Sequence, residues 1–219
     1  MVFMILIHVM MYPLYKNLQT PFGIITGSFL GSFLAAPVFM ISMGITVSFS
    51  RNNNPKAMMK RGLNLFILSY VVNIVRAIVP VTAYLIMGKG AELLVFFFCI
   101  GDILQFAGLA FILLGLLKMI KKHTALWIIL VGVVLNLCVS FIPTVYSDSS
   151  AIGYTVGLIY PIVPKTINNL EMCCCFPLAS WFIYVAFGYL FGIVMRKVKN
   201  LNKFYLISGI IGAVLFAGF

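Results

Sequence analysis

Acidic side chains are nearly absent from this chain. Its 219 residues include 4 Asp and Glu and 15 Lys and Arg, so that only 9% of the residues are charged. A soluble domain needs about a quarter of its residues charged to cover its surface, so a water-soluble globular fold is excluded. The chain is instead 63% hydrophobic, with a mean hydropathy of +1.14. We therefore predict an integral membrane protein that is solvated mainly by lipid.

Several functional patterns are also missing. Alternating apolar and polar residues, which would indicate a transmembrane barrel, do not occur. The 5 cysteines follow no zinc-binding spacing and are predicted to be free thiols. There is no hydrolase elbow, phosphate loop, paired-histidine motif or dinucleotide fingerprint, so no metal and no bound cofactor are predicted. The net charge of +11 lacks an interleaved aromatic platform, so nucleic acid is not a predicted partner.

Apolar runs long enough to cross a bilayer, about 20 residues each, recur along the chain. We predict an all-α polytopic transmembrane helix bundle of about seven spanning helices, forming a single integral membrane domain over 1–219. The outer loop 144–175 is predicted to contain an interfacial or re-entrant segment at 150–164, because glycines and prolines interrupt its apolar run. The predicted spans are 1–15, 28–50, 62–87, 93–117, 125–143, 176–195 and 203–219.

The basic residues mark alternate connections between these spans. The other connections hold few bases and three of the four acids, Glu92, Asp148 and Glu171. The positive-inside rule places the basic connections in the cytoplasm. We predict a multi-pass protein of the cell membrane, with its N-terminus cytoplasmic and its C-terminus outside. The bases of the predicted cytoplasmic connections are Arg51, Lys56, Lys60, Arg61, Lys118, Lys121, Lys122, Arg196, Lys197, Lys199 and Lys203.

Three ionisable residues, His8, Arg76 and Asp102, fall inside predicted spans. Such groups cost several kcal/mol in a bilayer unless they are paired, so they are functional candidates. Counted from the outer helix ends, His8 lies about seven residues deep and the other two about ten, or about 10–17 Å below the outer surface and close to the midplane. The third and fourth spans share a short loop, so an Arg76–Asp102 ion pair is expected.

Further polar residues follow at helical spacing. Ser69, Asn73 and Arg76 share one face of the third helix, and Asp102 and Gln105 share one face of the fourth. Two interpretations are open. The pair either fixes helix packing, with the amides as interhelical hydrogen bonds, or it belongs to a polar cavity with a function.

Five stretches in order resemble a known family: Met1–Leu14, Ala35–Arg51, Lys60–Asn73, Asp102–Lys118 and Phe176–Gly192. The series resembles the bacterial relatives of heparan-α-glucosaminide N-acetyltransferase, within the multi-pass membrane acyltransferase group. The resemblance implies transfer of an acyl group, usually acetyl, from cytoplasmic acyl-CoA to a cell-envelope glycan. Acyl-CoA (acetyl-CoA) is then a co-substrate, and the implied partners are membrane lipid, acyl-CoA and the glycan acceptor.

The resemblance also assigns site residues. His8 matches the first-helix histidine expected to handle the acceptor proton, and Arg61 matches the base that opens the third helix. Asp102 and Gln105 match the polar start of the fourth-helix motif. The resulting hypothesis is that His8, Asp102 and Arg76 are the catalytic residues. The substrate-binding residues in this hypothesis are Asn73, Gln105, Arg61 and Lys60.

The sequence departs from the family in two places. The chain begins after the position where these families carry an Asp and an Arg-Gly pair, and 15–27 contain no histidine. A shortened or catalytically inactive membrane scaffold is therefore one alternative. A small multi-pass transporter or flippase, with the three ionisable residues lining its path, is another. A homo-oligomer is left open.

Overall fold

The structure, a computed structural model, describes residues 35–51, 54–86, 101–142, 145–147, 155–164 and 176–217. These residues form six long helices: α1 (Ala36–Phe49), α2 (Pro55–Ile86), α3 (Ile103–Met119), α4 (Thr124–Phe141), α5 (Leu178–Lys197) and α6 (Leu201–Ala217). Two short strands, β1 (Val145–Ser147) and β2 (Ile162–Pro164), pair in parallel and are the only strands in the described part of the chain. The predicted all-α fold class is confirmed.

The helices are those of a membrane protein. Three stretches within the described residues are long and apolar enough to cross a bilayer. They are the Pro55–Ile78 part of α2, the whole of α4 and the whole of α5. Large apolar side chains stand exposed on them, as with Val75 at 62% and Leu126 at 64% exposure. Water would disfavour such surfaces and lipid favours them. The chain is a helical membrane bundle.

The predicted spans other than 1–15, which lies outside the described residues, each coincide with a helix. Among the helix starts that lie within the described residues, that of α2 differs most from its prediction. Helix α2 begins at Pro55, whereas the predicted span begins at 62. The bases Lys56, Lys60 and Arg61 therefore lie in the first turns of a helix, and their assignment to a loop was wrong. Hydropathy ends a span where charges begin, but the backbone helix continues through them.

Local sequence explains this start of α2. Proline suits the first turn of a helix, where its missing N–H has no helical partner. Asn54 precedes Pro55, and its side-chain oxygen accepts a hydrogen bond from the Lys56 amide at 3.1 Å. An Asn-Pro pair before a helical run is thus a start signal that hydropathy does not register.

The described residues between 52 and 186 form one compact unit, and those of 1–51 and 187–219 form another. Helices α2, α3 and α4 belong to the first unit, and α1 and α6 to the second. Helix α5 begins in the first unit and ends in the second. A single integral membrane domain over 1–219 stays a prediction.

Within the first unit, α2 and α3 pack backbone against backbone. A Cβ atom added to Gly62 would lie 2.6 Å from the Gly108 carbonyl oxygen, and one added to Gly108 would lie 2.9 Å from that of Gly62. Towards the end of α3, a Cβ on Gly115 would lie 3.0 Å from the Pro55 carbonyl oxygen. Later residues of α3 contact earlier residues of α2, so the two helices are antiparallel. Only glycine permits this approach, which is a common basis of helix association in lipid.

Within the second unit, the last half of α5 lies against α1. A Cβ on Gly188 would lie 2.8 Å from the Ile41 carbonyl carbon, and one on Gly192 would lie 2.9 Å from the Ser48 Cβ. One turn later, Arg196 Nη1 donates a hydrogen bond to the Ser48 carbonyl oxygen at 2.6 Å. This carbonyl belongs to the last turn of α1, where helical partners are missing and a cation is favourable.

The segment predicted at 150–164 contains no spanning helix in its described part, which holds one helical turn followed by β2. Leu158 is buried, and its carbonyl oxygen accepts a hydrogen bond from the Leu178 amide at 2.9 Å. This satisfies a donor at the start of α5 that lacks a helical partner. Tyr160 Oη donates to the Ile142 carbonyl oxygen, just after α4, at 2.7 Å. The segment thus ties the end of α4 to the start of α5.

Replacing Gly108 by alanine is expected to lower the free energy of unfolding by about 1–3 kcal/mol, because the new methyl group forces α2 and α3 apart. The matched control is Gly209→Ala in α6, where no described atom lies within 4 Å of an added Cβ. Alanine there favours the helix by up to about 1 kcal/mol. The melting temperatures of both variants in one detergent provide the measurement. Equal melting temperatures would contradict the backbone contact of α2 and α3.

Candidate active site

Asp102 begins α3 and forms its N-cap. Its backbone is extended (φ −102°, ψ 172°), and its Oδ1 atom accepts a hydrogen bond from the Ile103 amide at 2.7 Å. Gln105 completes a capping box, in which its Oε1 atom accepts from the Asp102 amide at 2.9 Å. The prediction that Asp102 lies about ten residues inside the fourth helix was wrong. The Asp-x-x-Gln spacing, a capping signature, was the signal in the sequence.

Asp102 also forms the expected ion pair with Arg76 of α2. The Arg76 Nη2 and Asp102 Oδ2 atoms are 3.0 Å apart, and the two side chains are 37% and 23% exposed. The carboxylate therefore divides its oxygens, with Oδ1 on the α3 backbone and Oδ2 on the guanidinium. Because the cap fixes the carboxylate, the carboxylate in turn orients Arg76.

Three polar side chains close to the pair in sequence are buried. Ser69, Asn73 and Gln105 are 2%, 2% and 0% exposed. Ser69 and Asn73 lie seven and eleven residues after Gly62 on α2, at the three- and four-residue steps of one helix face, which confirms the predicted polar stripe. Gln105 has a structural role, because its side-chain oxygen accepts a hydrogen bond from the Asp102 amide. Substrate binding by Asn73 and Gln105 stays a prediction.

The pair joins the second half of α2 to the start of α3. Arg76 lies ten residues before the end of α2 at Ile86 (86 minus 76), and Asp102 directly precedes the first residue of α3, Ile103. The fourth span drawn from 93 had placed Asp102 inside a helix, whereas residues 101 and 102 precede α3. The midplane position of the pair stays a prediction.

The predicted site residues do not all come together. Lys60 and Arg61 are exposed in the second turn of α2, and Arg61 precedes Arg76 by 15 residues (76 minus 61). At 1.5 Å per residue that is a rise of about 22 Å. The predicted donor-binding bases and the ion pair thus lie far apart along α2. His8 lies outside the described residues.

Lys118 was predicted only as a base of a cytoplasmic connection, but it lies inside a helix. Its side chain belongs to the last turn of α3 and is only 8% exposed. It follows Gly115 by three residues, which places it on the α3 face that packs against the start of α2. This spacing was visible in the sequence, but the residue was interpreted only as an orientation charge.

The geometry and the motif series can be compared with known proteins. The sequence model of the family described as "Heparan-alpha-glucosaminide N-acetyltransferase, catalytic" matches residues 1–216. The chain belongs to this family. The predicted resemblance is thereby confirmed, and the protein is a membrane acyltransferase of an acetyltransferase family. No curated protein and no solved structure matches the chain.

In this chain, the ion pair supplies a fixed cationic donor between the second half of α2 and the start of α3. A guanidinium carries five N–H donors, and the contact with Asp102 uses one of them. Donors held at a fixed position stabilise the negative charge that develops on a carbonyl oxygen during acyl transfer. Within the described ranges, no three His, Cys, Asp or Glu side chains gather as metal ligands would.

Replacing Asp102 by alanine is expected to lower the free energy of unfolding by about 1–2 kcal/mol, because the helix cap is lost along with an ion pair worth up to about 1 kcal/mol. Asp102→Asn keeps a capping oxygen and loses only the charge, so a smaller loss is expected. Arg76→Gln, which leaves the cap intact, should match the Asn variant. Thermal unfolding in detergent provides the measurement. An equal loss for the Ala and Asn variants would contradict the capping role.

Proposed function

We propose that the protein is a membrane-bound acyltransferase that moves an acetyl group from cytoplasmic acyl-CoA to a cell-envelope glycan. The observation that carries this proposal is the Arg76–Asp102 ion pair, 3.0 Å long, between two apolar helices. Family membership supplies the reaction class. The ion pair supplies a group suited to that reaction, about 22 Å along α2 from Arg61 in its basic second turn.

The chemistry needs a base and a stabiliser of negative charge. An acceptor hydroxyl or amine attacks the thioester carbonyl carbon, so that a C–O or C–N bond forms and the C–S bond breaks. His8 is the proposed base, because a neutral imidazole accepts a proton near pH 7, and this proton then passes to the departing CoA sulfur. Arg76 stabilises the oxyanion, and Asp102 orients Arg76.

The orientation of the chain assigns the two substrates to two sides. The bases at the start of α2 lie on the cytoplasmic side under the positive-inside rule, with the N-terminus inside and the C-terminus outside. Lys60 and Arg61 are proposed to contact acyl-CoA there. The ion pair lies towards the other side of the bilayer, where Asn73 and Gln105 are proposed to support the acceptor site.

Removing the charge of either member of the pair is expected to slow acetyl transfer by about 100-fold or more, as for other fixed donors to an oxyanion. The variants are Asp102→Asn, which retains a helix cap, and Arg76→Gln. His8→Ala is expected to slow acetyl transfer by about 100- to 10,000-fold, the contribution typical of a general base. The measurement is the transfer of radiolabelled acetyl from acetyl-CoA to membrane glycans by the purified protein in detergent.

The matched control is Ser140→Ala near the end of α4, because among the described residues the Ser140 hydroxyl bonds only to the Asn136 carbonyl of its own helix, at 3.1 Å. It is expected to transfer at the wild-type rate. Unchanged transfer by Arg76→Gln and His8→Ala would contradict the mechanism. No transfer by folded wild-type protein would contradict the function itself and favour the transporter, flippase or scaffold alternatives.

A further inference from the structure

Three helix ends of the second unit carry exposed bases. Helix α1 ends at Phe49, helix α5 ends at Lys197 and helix α6 begins at Leu201. Arg196 Nη1 donates a hydrogen bond to the Ser48 carbonyl oxygen at 2.6 Å, so the ends of α1 and α5 meet. The connection from α5 to α6 spans only residues 198–200. We call the exposed bases of this region the basic patch: Arg51, Arg196, Lys197, Lys199 and Lys203.

No acid of this unit balances the basic patch. The 4 acids of the chain all lie between 92 and 171, so the residues of the unit, 1–51 and 187–219, contain no Asp or Glu. A cluster of one sign attracts counter-ions, and bases beside a membrane attract the anionic lipids of its surface. The positive-inside rule accounts for bases in this connection, but it requires none of them to be held in a fixed position.

Arg196 is held in a fixed position by α1. Besides its hydrogen bond to Ser48, its guanidinium carbon lies 5.9 Å from the centre of the Phe49 ring, whose face attracts a cation. A guanidinium carries five N–H donors, and the hydrogen bond of Arg196 to a described residue uses one of them. The side chain is also exposed. A held guanidinium with further donors matches a phosphate, which it binds through two parallel hydrogen bonds.

Aromatic rings of α5 and α6 adjoin the basic patch. The ring centres of Phe187 and Phe191 are 6.2 Å apart, and Phe191 lies 5.0 Å from Phe204 of α6. The Tyr205 ring follows Phe204 at 6.2 Å and is part of a side chain in a residue that is 48% exposed. Phe191 precedes Arg196 by five residues (196 minus 191), a rise of about 7.5 Å. We call these four aromatic residues the aromatic strip.

The order of bases and rings fits a phospholipid. Helix α5 is long and apolar enough to cross a bilayer, and its bases lie in its last turn. The basic patch therefore lies at the level of lipid headgroups, and the aromatic strip extends from it towards the level of the acyl chains. A soluble phosphate compound would contact the bases but has no acyl chain for the strip. The bases also favour a lipid of net negative charge over a zwitterionic one.

We propose that the basic patch and the aromatic strip form a binding site for an anionic phospholipid. The Arg196 guanidinium binds the lipid phosphate, the neighbouring lysines strengthen the attraction, and the aromatic strip packs against an acyl chain. This inference goes beyond the proposed function and does not depend on it.

The test compares radiolabelled phosphatidylglycerol and phosphatidylcholine with identical acyl chains, bound at equilibrium to the purified full-length protein in a neutral detergent. The wild-type protein is expected to bind phosphatidylglycerol about tenfold more tightly or better, and raised salt should weaken this binding alone. Arg196→Gln is expected to raise the Kd for phosphatidylglycerol about tenfold or more, because a charge-assisted contact is lost. The Kd for phosphatidylcholine should change little.

Further variants separate charge, geometry and acyl-chain contact. Arg196→Lys keeps the charge without the planar fork and should give an intermediate Kd. Phe204→Ala should weaken the binding of long-chain phosphatidylglycerol more than that of a short-chain analogue. The matched control is Lys121→Gln, which removes one exposed base from the α3–α4 connection and should leave both lipids unaffected. If Arg196→Gln does not fold, the double variant Lys197→Gln with Lys203→Gln tests the same patch and should also raise the Kd for phosphatidylglycerol.

Three outcomes overturn the proposal. The first is an equal Kd of the two lipids for the wild-type protein. The second is an equal change of both Kd values in Arg196→Gln, because Arg196 would then act only on the packing of α1 against α5. The third is displacement of phosphatidylglycerol by inorganic phosphate or CoA with no effect of Phe204→Ala, which would assign the patch to a soluble phosphate compound. Acetyl transfer is not measured, so a failure of the proposed function leaves this site intact.

Discussion

The backbone contact between α2 and α3 is the constraint on which the candidate site depends. Apolar side chains gain no hydrophobic free energy when they move from lipid into a helix–helix contact. Helices therefore associate in a bilayer mainly where their surfaces fit closely. Gly62 and Gly108 allow that fit, with an added Cβ at Gly62 only 2.6 Å from a backbone oxygen. The contact sets the register of the pair. In that register Arg76 meets Asp102 at the start of α3, and Gly115 near the end of α3 meets Pro55 at the start of α2.

Asp102 shows how local and tertiary structure can depend on one carboxylate. Its Oδ1 atom caps α3 and its Oδ2 atom binds Arg76, while Gln105 holds its amide. A carboxylate that is only 23% exposed and bound on both oxygens has little freedom to rotate. The guanidinium opposite it gains a defined direction. A structural ion pair and the proposed catalytic donor are therefore compatible interpretations, because the ion pair would orient the donor.

Patterns that act over a whole helix could be predicted from the sequence. Hydropathy located the helices, and the polar residues at steps of three and four predicted the buried Ser69 and Asn73. The short loop between the third and fourth spans predicted the Arg76–Asp102 pair. Helix ends were predicted less well, because they depend on single hydrogen bonds. The Asn54 side chain at the start of α2 and the Asp102 cap of α3 are such bonds. The burial of Lys118 needed the register of two helices, which hydropathy does not contain.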